Sequence, residues 1–282
     1  MGQNSNAANE GDQLKHALLA EVLLRCLDWP SLTYAETHAG AGIYDAKSQT
    51  TDKAHIHKLK ALVDGLENPD EATAGGEYAR LLKTWWSDAE KADKYPGSVL
   101  QAAITLNRRG ERLEPAQVRV TEACKEAHKR LTDAVEAFGV KSRHAGFQNE
   151  IDWLTANDSL ILLVDPFGYS TVDEDINEGK ITSTCICQVV RECLNKRKCV
   201  IGFWCAVSDG TGWDKRRQVD QDLSDLLTES NARWRIYGAG RANMYKMSLI
   251  GIGEGGSLVA TLPATAEWGD SWLRAVIREL ER

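Results

Sequence analysis

The most constraining stretch is Ser159–Val164, S-L-I-L-L-V, an unbroken apolar run that passes straight into Asp165-Pro166-Phe167-Gly168-Tyr169. A strand that is apolar at almost every position must be covered on both faces, as in the centre of a parallel sheet with helices above and below. Leu32–Tyr44, L-T-Y-A-E-T-H-A-G-A-G-I-Y, has related character. A short apolar and β-branched run (Leu32 to Ala35) leads into an acidic residue, a histidine and two glycines one residue apart. Small residues at such a turn let backbone N–H groups approach a ligand at the head of the next helix. Parallel strands end on the same side, so both loops are expected at one carboxyl edge. The first reads as a holder for a nucleotide-like cofactor, the second as chemistry on a planar amine.

Around these landmarks the chain alternates strands and helices. Gln13–Asp28 carries Leu14, Leu18, Leu19, Val22, Leu23 and Leu27 at helical spacing, after a polar Met1–Asp12 that reads as flexible. Ala46–Pro96 has few β-branched residues and two helical patterns, Lys53–Leu66 and Gly76–Lys91, and reads as a helical insertion. Further helices are expected over Val99–Arg108, Ala123–Phe138, Gln148–Asn157, Ile181–Asn195, Asp220–Glu229 and Asp270–Arg282. Gln117–Thr121 alternates like a strand ending at Glu122, and His144-Ala145-Gly146-Phe147 reads as a loop. Lys198–Val207, Trp234–Tyr237, Tyr245–Ile252 and Ser257–Leu262 read as strands, the last two as hairpin partners across Gly253–Gly256. This pattern predicts a doubly wound α/β fold, divided into 1–45 (first helix, strand and loop), 46–96 (insertion) and 97–282 (the remainder).

At 282 residues the chain can bury a sizeable core. Its net charge of −7 argues against a surface made for indiscriminate nucleic-acid binding, though not against a local basic face. No apolar run approaches the ~18–20 residues that span a bilayer, so no membrane partner is expected. With no export signal, the seven cysteines read as reduced thiols of a cytoplasmic protein. Cys185, Cys187, Cys193, Cys199 and Cys205 lack the paired spacing of zinc sites, so they read as core thiols and no metal is expected.

An exocyclic amine on a base is a poor nucleophile because its lone pair is delocalised into the ring. The Asp165 carboxylate and the Pro166 carbonyl could accept both amino hydrogens and free that lone pair, while Phe167 or Tyr169 stacks on the base. An ordinary strand-to-loop turn would also suit Asp-Pro-x-Gly.

Asn9-Glu10-Gly11-Asp12-Gln13-Leu14-Lys15-His16 resembles a segment of the RlmJ-type family, bacterial methyltransferases acting on adenine N6 of 23S ribosomal RNA. Thr37–Tyr44 resembles another, and Gly76-Glu77-Tyr78, Tyr95-Pro96-Gly97-Ser98, Thr121-Glu122 and Gly146-Phe147-Gln148 follow in the family's order. The resemblance runs from about Asn9 to Tyr169. It implies a Rossmann-like class I methyltransferase fold with a small helical insertion after the first strand, and S-adenosylmethionine as cofactor. On the same resemblance His16, His38, Gly40, Gly42, Ser98 and Glu122 would line the cofactor, with Asp165 between cofactor and base. Lys15 and Tyr169 would meet the substrate. The family's Asp-Pro-Pro-Tyr is Asp-Pro-Phe-Gly-Tyr here, and Ala145 stands where an acidic residue faces the adenine. The D-P-F-G-Y loop also resembles the three-Cys-motif partner proteins.

Basic clusters at Arg108/Arg109/Arg112, Lys125/Lys129/Arg130, Lys141/Arg143, Lys196–Lys198 and Lys215–Arg217 offer phosphate contacts. Gly210–Arg217, G-T-G-W-D-K-R-R, is the candidate substrate loop. The expected partner is nucleic acid, RNA ahead of DNA, for a monomer or small homo-oligomer. The alternatives are a DNA adenine methyltransferase and a methyltransferase-like subunit that works through a protein partner.

Overall fold

The computed structural model describes residues 7–48, 55–66, 75–109, 116–166, 168–169, 180–206, 210–228, 230–239, 245–262 and 276. In chain order these form α1 (Glu10–Arg25), β1 (Thr33–Glu36), β2 (Ile43–Asp45), α2 (His55–Asp64), α3 (Gly76–Trp86), β3 (Lys94–Pro96) and α4 (Ser98–Leu106). Then come β4 (Gln117–Glu122), α5 (Lys125–Val135), β5 (Lys141–His144), α6 (Ile151–Leu154), β6 (Ser159–Val164), β7 (Gly168–Tyr169) and β8 (Lys180–Ile181). The chain continues through α7 (Ser183–Cys193), β9 (Lys198–Ala206), α8 (Gly210–Thr228), β10 (Arg233–Ala239), β11 (Tyr245–Gly253) and α9 (Glu254–Thr261).

Seven strands make one sheet in the order β10-β11-β9-β6-β1-β4-β5. β5, β4, β1, β6 and β9 run parallel, while β11 is antiparallel to both β9 and β10. From β1 the chain builds outward through β4 to β5, then returns to β6 on the other side. The resulting switch point beside β1 is where such sheets open a crevice at their carboxyl ends. This is the doubly wound, mostly parallel α/β architecture that the alternation of strands and helices predicts. Helices α2 and α3 fall between the small antiparallel pair β2 and β3.

Every residue of β6 is buried, as its apolar run requires. One face of the sheet packs Leu18, Leu23, Tyr34, Val99, Val120 and Leu163 into a core shared with α1, α3, α4 and α5. The other packs Ala35, Leu160, Leu162, Ile186, Val190 and Leu223 against α6, α7 and α8.

Four sequence expectations change. The first helix begins at Glu10, not Gln13, because Asn9 caps it by accepting from the Asp12 N–H at 2.9 Å, and Asp12 accepts from the Ala8 N–H at 2.8 Å. Ala7 and Ala8 are buried, so the segment expected to be flexible is packed from residue 7 onward. His144, expected in a loop, instead closes strand β5, Lys141–His144. As an edge strand it shows solvent to much of its length and lacks an apolar signature.

Ser257–Leu262 is not a strand, and the hairpin partner of β11 is β10. Gly253, at φ +59°, turns the chain into α9, and a Cβ on Gly255 would come within 1.9 Å of the Cys199 carbonyl oxygen. Only glycine lets that helix lie directly on the backbone of β9. Gly210–Arg217 is likewise not a loop but the opening turns of α8, whose Arg216, Val219, Leu223 and Leu227 form a buried face at helical spacing. Of the expected terminal helix over Asp270–Arg282, only Val276 lies within the described residues, and it is buried.

Gly255→Ala is expected to destabilise the protein by about 2–3 kcal/mol, since backbone meets backbone and no flexible side chain can yield. Urea unfolding read by circular dichroism checks this, and an unchanged midpoint would mean that α9 does not rest on β9.

Candidate functional site

Three carboxylates occupy the carboxyl ends of adjacent central strands. Glu36 closes β1, Glu122 closes β4 and Asp165 follows β6. Each has different partners, and the differences define the site.

Asp165 meets α1. Lys15 places its Nζ 2.7 Å from Asp165 Oδ2 and 3.0 Å from Asp12 Oδ1, with 8% of the lysine side chain exposed. Burial works against the ammonium charge, but the two carboxylates outweigh it and push the Lys15 pKa up. Burial likewise pushes the Asp165 carboxyl up, with Lys15 opposing. The indole of Trp204 on β9 lies under the ammonium, 5.6 Å from its centroid. Trp204 is therefore core, as its apolar strand suggests, and also a neighbour of the site.

Glu36 is fully buried. The Tyr34 hydroxyl donates to its Oε2 and the Ser98 hydroxyl to its Oε1, both at 2.6 Å. Burial and the nearby Asp165 charge push its pKa from about 4.5 up to about 8. Ser98, which the resemblance places on the cofactor, thus enters the site as a partner of Glu36.

Glu122 braces the glycine turn. Its Oε2 accepts from the Gly40 N–H at 2.8 Å and its Oε1 from the Cys124 N–H at 2.8 Å. Gly40 has φ +63° and Gly42 φ +73°, and a Cβ on Gly40 would sit 2.3 Å from the Tyr44 hydroxyl oxygen. The positive φ of both residues favours glycine here. His38, on the same loop, has Thr37 Oγ1 2.7 Å from its Nδ1 and the Phe147 ring 5.2 Å away. Burial depresses its pKa from 6.5 to about 4.

His16 belongs to a second, buried thread. Its Nδ1 is 2.5 Å from the Tyr95 hydroxyl and 2.9 Å from Gln101 Nε2, and its ring stacks on Tyr95. Tyr95 and Tyr78 share a hydroxyl contact at 2.8 Å, and Tyr78 donates to Gln13 Oε1 at 2.9 Å. Burial and the Lys15 charge hold the His16 pKa near 3, so its imidazole is neutral.

The structure therefore brings Lys15, Ser98 and Asp165 together around Glu36, with His16 next along α1. It sets Gly40, Gly42 and Glu122 beside His38 at the neighbouring strand end. Pro166 is buried, Phe167 lies outside the described residues, and of Tyr169 only the backbone, paired in β7 with β8, is described. Sequence reasoning noted Glu36 only as an acidic residue and passed over Gln101. A carboxylate on the last residue of an apolar strand was the available signal for Glu36, and a lone amide in V-L-Q-A-A-I for Gln101. Cys185, Cys187, Cys193 and Cys199 are buried free thiols. Among the described residues no cluster of His, Cys, Asp and Glu is placed to hold a metal ion, and no helix is long and apolar enough to cross a membrane.

No protein-family model matches the chain, and no curated protein matches it. Solved structures do. Protein LPL1258 from Legionella pneumophila is 19% identical over 88% of this chain and 86% of its own, with a TM-score of 0.62, and shares the fold. A candidate methyltransferase from Streptococcus mutans, solved in complex with SAH, is 10% identical over 84% and 97%, with a TM-score of 0.46. A candidate rRNA methylase from Clostridium thermocellum is 10% identical over 83% and 96%, with a TM-score of 0.44.

The buried groups make opposite contributions to stability as pH changes. His16 and His38 have depressed pKa values, so they cost stability as pH falls below 6.5 towards 4. Glu36 has a raised pKa, so its contribution is complete below 4.5 and is lost as pH rises through about 8. Glu36→Gln is therefore expected to gain on the wild type in urea midpoint between pH 5 and pH 8. A constant difference across that range would show that Glu36 is ionised throughout.

Proposed function

We propose that the chain is an S-adenosylmethionine-dependent methyltransferase that methylates a base exocyclic amine, adenine N6 in RNA. The observation that carries this reading is the buried Lys15–Asp165 pair, set at the topological switch point beside a carboxylate-braced glycine turn.

The residues present fit the cofactor. The Ala39–Gly42 turn offers backbone without bulky side chains, Gly40 holds a positive φ, and carboxylates close the strands on either side of the switch. His38, Gly40, Gly42 and Glu122 would hold the nucleoside end, with Glu122 available to ribose hydroxyls through lone pairs its backbone partners leave unused. His16, Ser98 and Glu36 would hold the other end. A cationic amino group beside Glu36 would favour its ionised form. When bound, S-adenosylmethionine supplies a methyl carbon on a sulfonium, and the bond to sulfur breaks as the amine nitrogen attacks.

The chain's own residues prepare that nitrogen. Lys15 engages Asp165 Oδ2, which leaves Oδ1 and the Pro166 carbonyl to accept the two amino hydrogens. Those hydrogen bonds draw the lone pair out of the ring and fix its direction. A carboxyl raised by burial can then receive the proton the methylated amine sheds. Phe167 and Tyr169 would stack on the base, and the Lys15 ammonium would keep Asp165 charged and in place. A DNA adenine is the neighbouring substrate reading. Ala145, where the resembled family has an acid against the adenine ring, favours a different one, a cofactor-binding subunit that serves a protein partner.

Calorimetric titration of S-adenosylmethionine and S-adenosylhomocysteine is expected to show micromolar binding that Gly40→Val removes. With cofactor bound, Asp165→Ala is expected to lower methyl transfer to RNA by about 100-fold or more, since the amine loses both its positioning and its proton acceptor. Binding without transfer to any RNA or DNA would point to the subunit reading. No binding of either compound would overturn the proposal.

A further inference from the structure

The free edge of the sheet beyond β4 carries an arrangement that the catalytic reading does not use. In the parallel pairing of β4 with β5, Arg119 stands opposite Lys141 and Thr121 opposite Arg143. Register partners point to the same face, so Arg119, Lys141 and Arg143 share one side of the edge. Two of the three converge on a single indole. The Arg143 guanidinium lies 4.1 Å from the Trp153 ring centroid and that of Arg119 lies 5.9 Å away. Arg119 donates from Nη1 to the Trp153 carbonyl at 2.7 Å and from Nη2 to Gln117 Oε1 at 2.6 Å. Its buried Nε–H has no acceptor among the described residues.

Among the described residues one acid answers these three cations directly. Glu150 pairs with Arg143, whose side chain remains 47% exposed, and Lys141 is exposed as well. Like charges directly opposite each other on paired strands weaken the pairing. Burial and the Arg143 charge both act to depress the pKa of Arg119. An edge strand needs charge to resist pairing with other chains, but that need is met by scattered lysines. It does not call for two guanidinium groups drawn onto one aromatic ring. An arginine stacked on an indole has already lost side-chain freedom and presents its outer N–H groups at little further entropic cost.

We propose that this β5 edge, through Lys141, Arg143 and Arg119 backed by Trp153, binds the phosphodiester backbone of the single-stranded nucleic acid whose base enters at Asp165. The proposal rests on the substrate reading above and adds the track by which the polymer is held. β5 lies three strands from β6, roughly 14 Å at the usual spacing of about 4.8 Å. Both strands end at the same sheet edge. A strand that leaves the Asp165 site along that edge passes β5, where phosphates meet the unshared cationic groups. The contact is electrostatic and blind to sequence.

The test is fluorescence anisotropy of the full chain with a labelled mixed-sequence 20-nucleotide RNA, and a DNA of the same sequence, over a potassium chloride series. The variants are Lys141→Gln/Arg143→Gln and, as a control that removes a cation from the end of α1, Arg25→Gln. Removal of two phosphate contacts is expected to lower the slope of log affinity against log salt by about 1.4, and to weaken binding about tenfold at low salt. Arg25→Gln should change neither. Thermal melting and S-adenosylmethionine titration of each variant exclude misfolding as the cause. If the wild type binds either polymer and the double variant matches it in affinity and slope, the edge is no track, and the substrate reading stands without it. If the wild type binds neither polymer, both fall.

Discussion

A single buried ammonium holds the centre of this molecule together. Lys15 on the first helix satisfies Asp165, 150 residues later in the chain, and Asp12 one turn away, over the indole of Trp204. A charge so far from solvent persists only if its partners are fixed, and each partner belongs to a different part of the fold. The cap of α1 supplies Asp12, the loop after β6 supplies Asp165, and β9 supplies the aromatic floor. The position of the helix, the opening of the loop and the register of the central strands are therefore tied to one another through that charge.

Around it the three strand-end carboxylates share out the work. Asp165 is paired with Lys15 at 2.7 Å. Glu36 is enclosed by two hydroxyl donors, and burial with the nearby Asp165 charge pushes it up to about 8. Glu122 is committed to backbone, holding the glycine turn by the Gly40 N–H and the start of α5 by the Cys124 N–H. Three chemically identical groups, within one edge of one sheet, are distinguished by their partners alone.

Much of this was legible in the sequence because burial writes itself in composition. A strand covered on both faces reads as an unbroken apolar run, and Ser159–Val164 and Lys198–Ala206 announce themselves that way. The glycine turn was legible for the same reason, since two glycines around one alanine after a strand have few other uses. Legibility failed where the deciding contact lies far away in the chain. Lys141–His144 is a strand only because β4 offers it a partner, and its own residues are those of a solvated loop. Ser257–Leu262 has apolar residues compatible with a strand, and it is helical because Gly255 fits against Cys199. At the strand ends Lys15, Ser98 and Asp165 gather around Glu36, whereas Gln101 joins His16 through packing that no local pattern records.

The thread from Gln13 through Tyr78, Tyr95 and His16 to Gln101 changes what the helical insertion is. Tyr78 and the hairpin residue Tyr95 sit inside or at the close of the stretch that interrupts the sheet, yet the Tyr95 hydroxyl meets the histidine next to Lys15 and that of Tyr78 joins Tyr95 to Gln13. The insertion is thus a wall of the crevice rather than an ornament on it. Discarding the segment would reopen the centre to water. Where such a fold acquires new substrates, the outer loops are free to vary and this wall has to travel with the site.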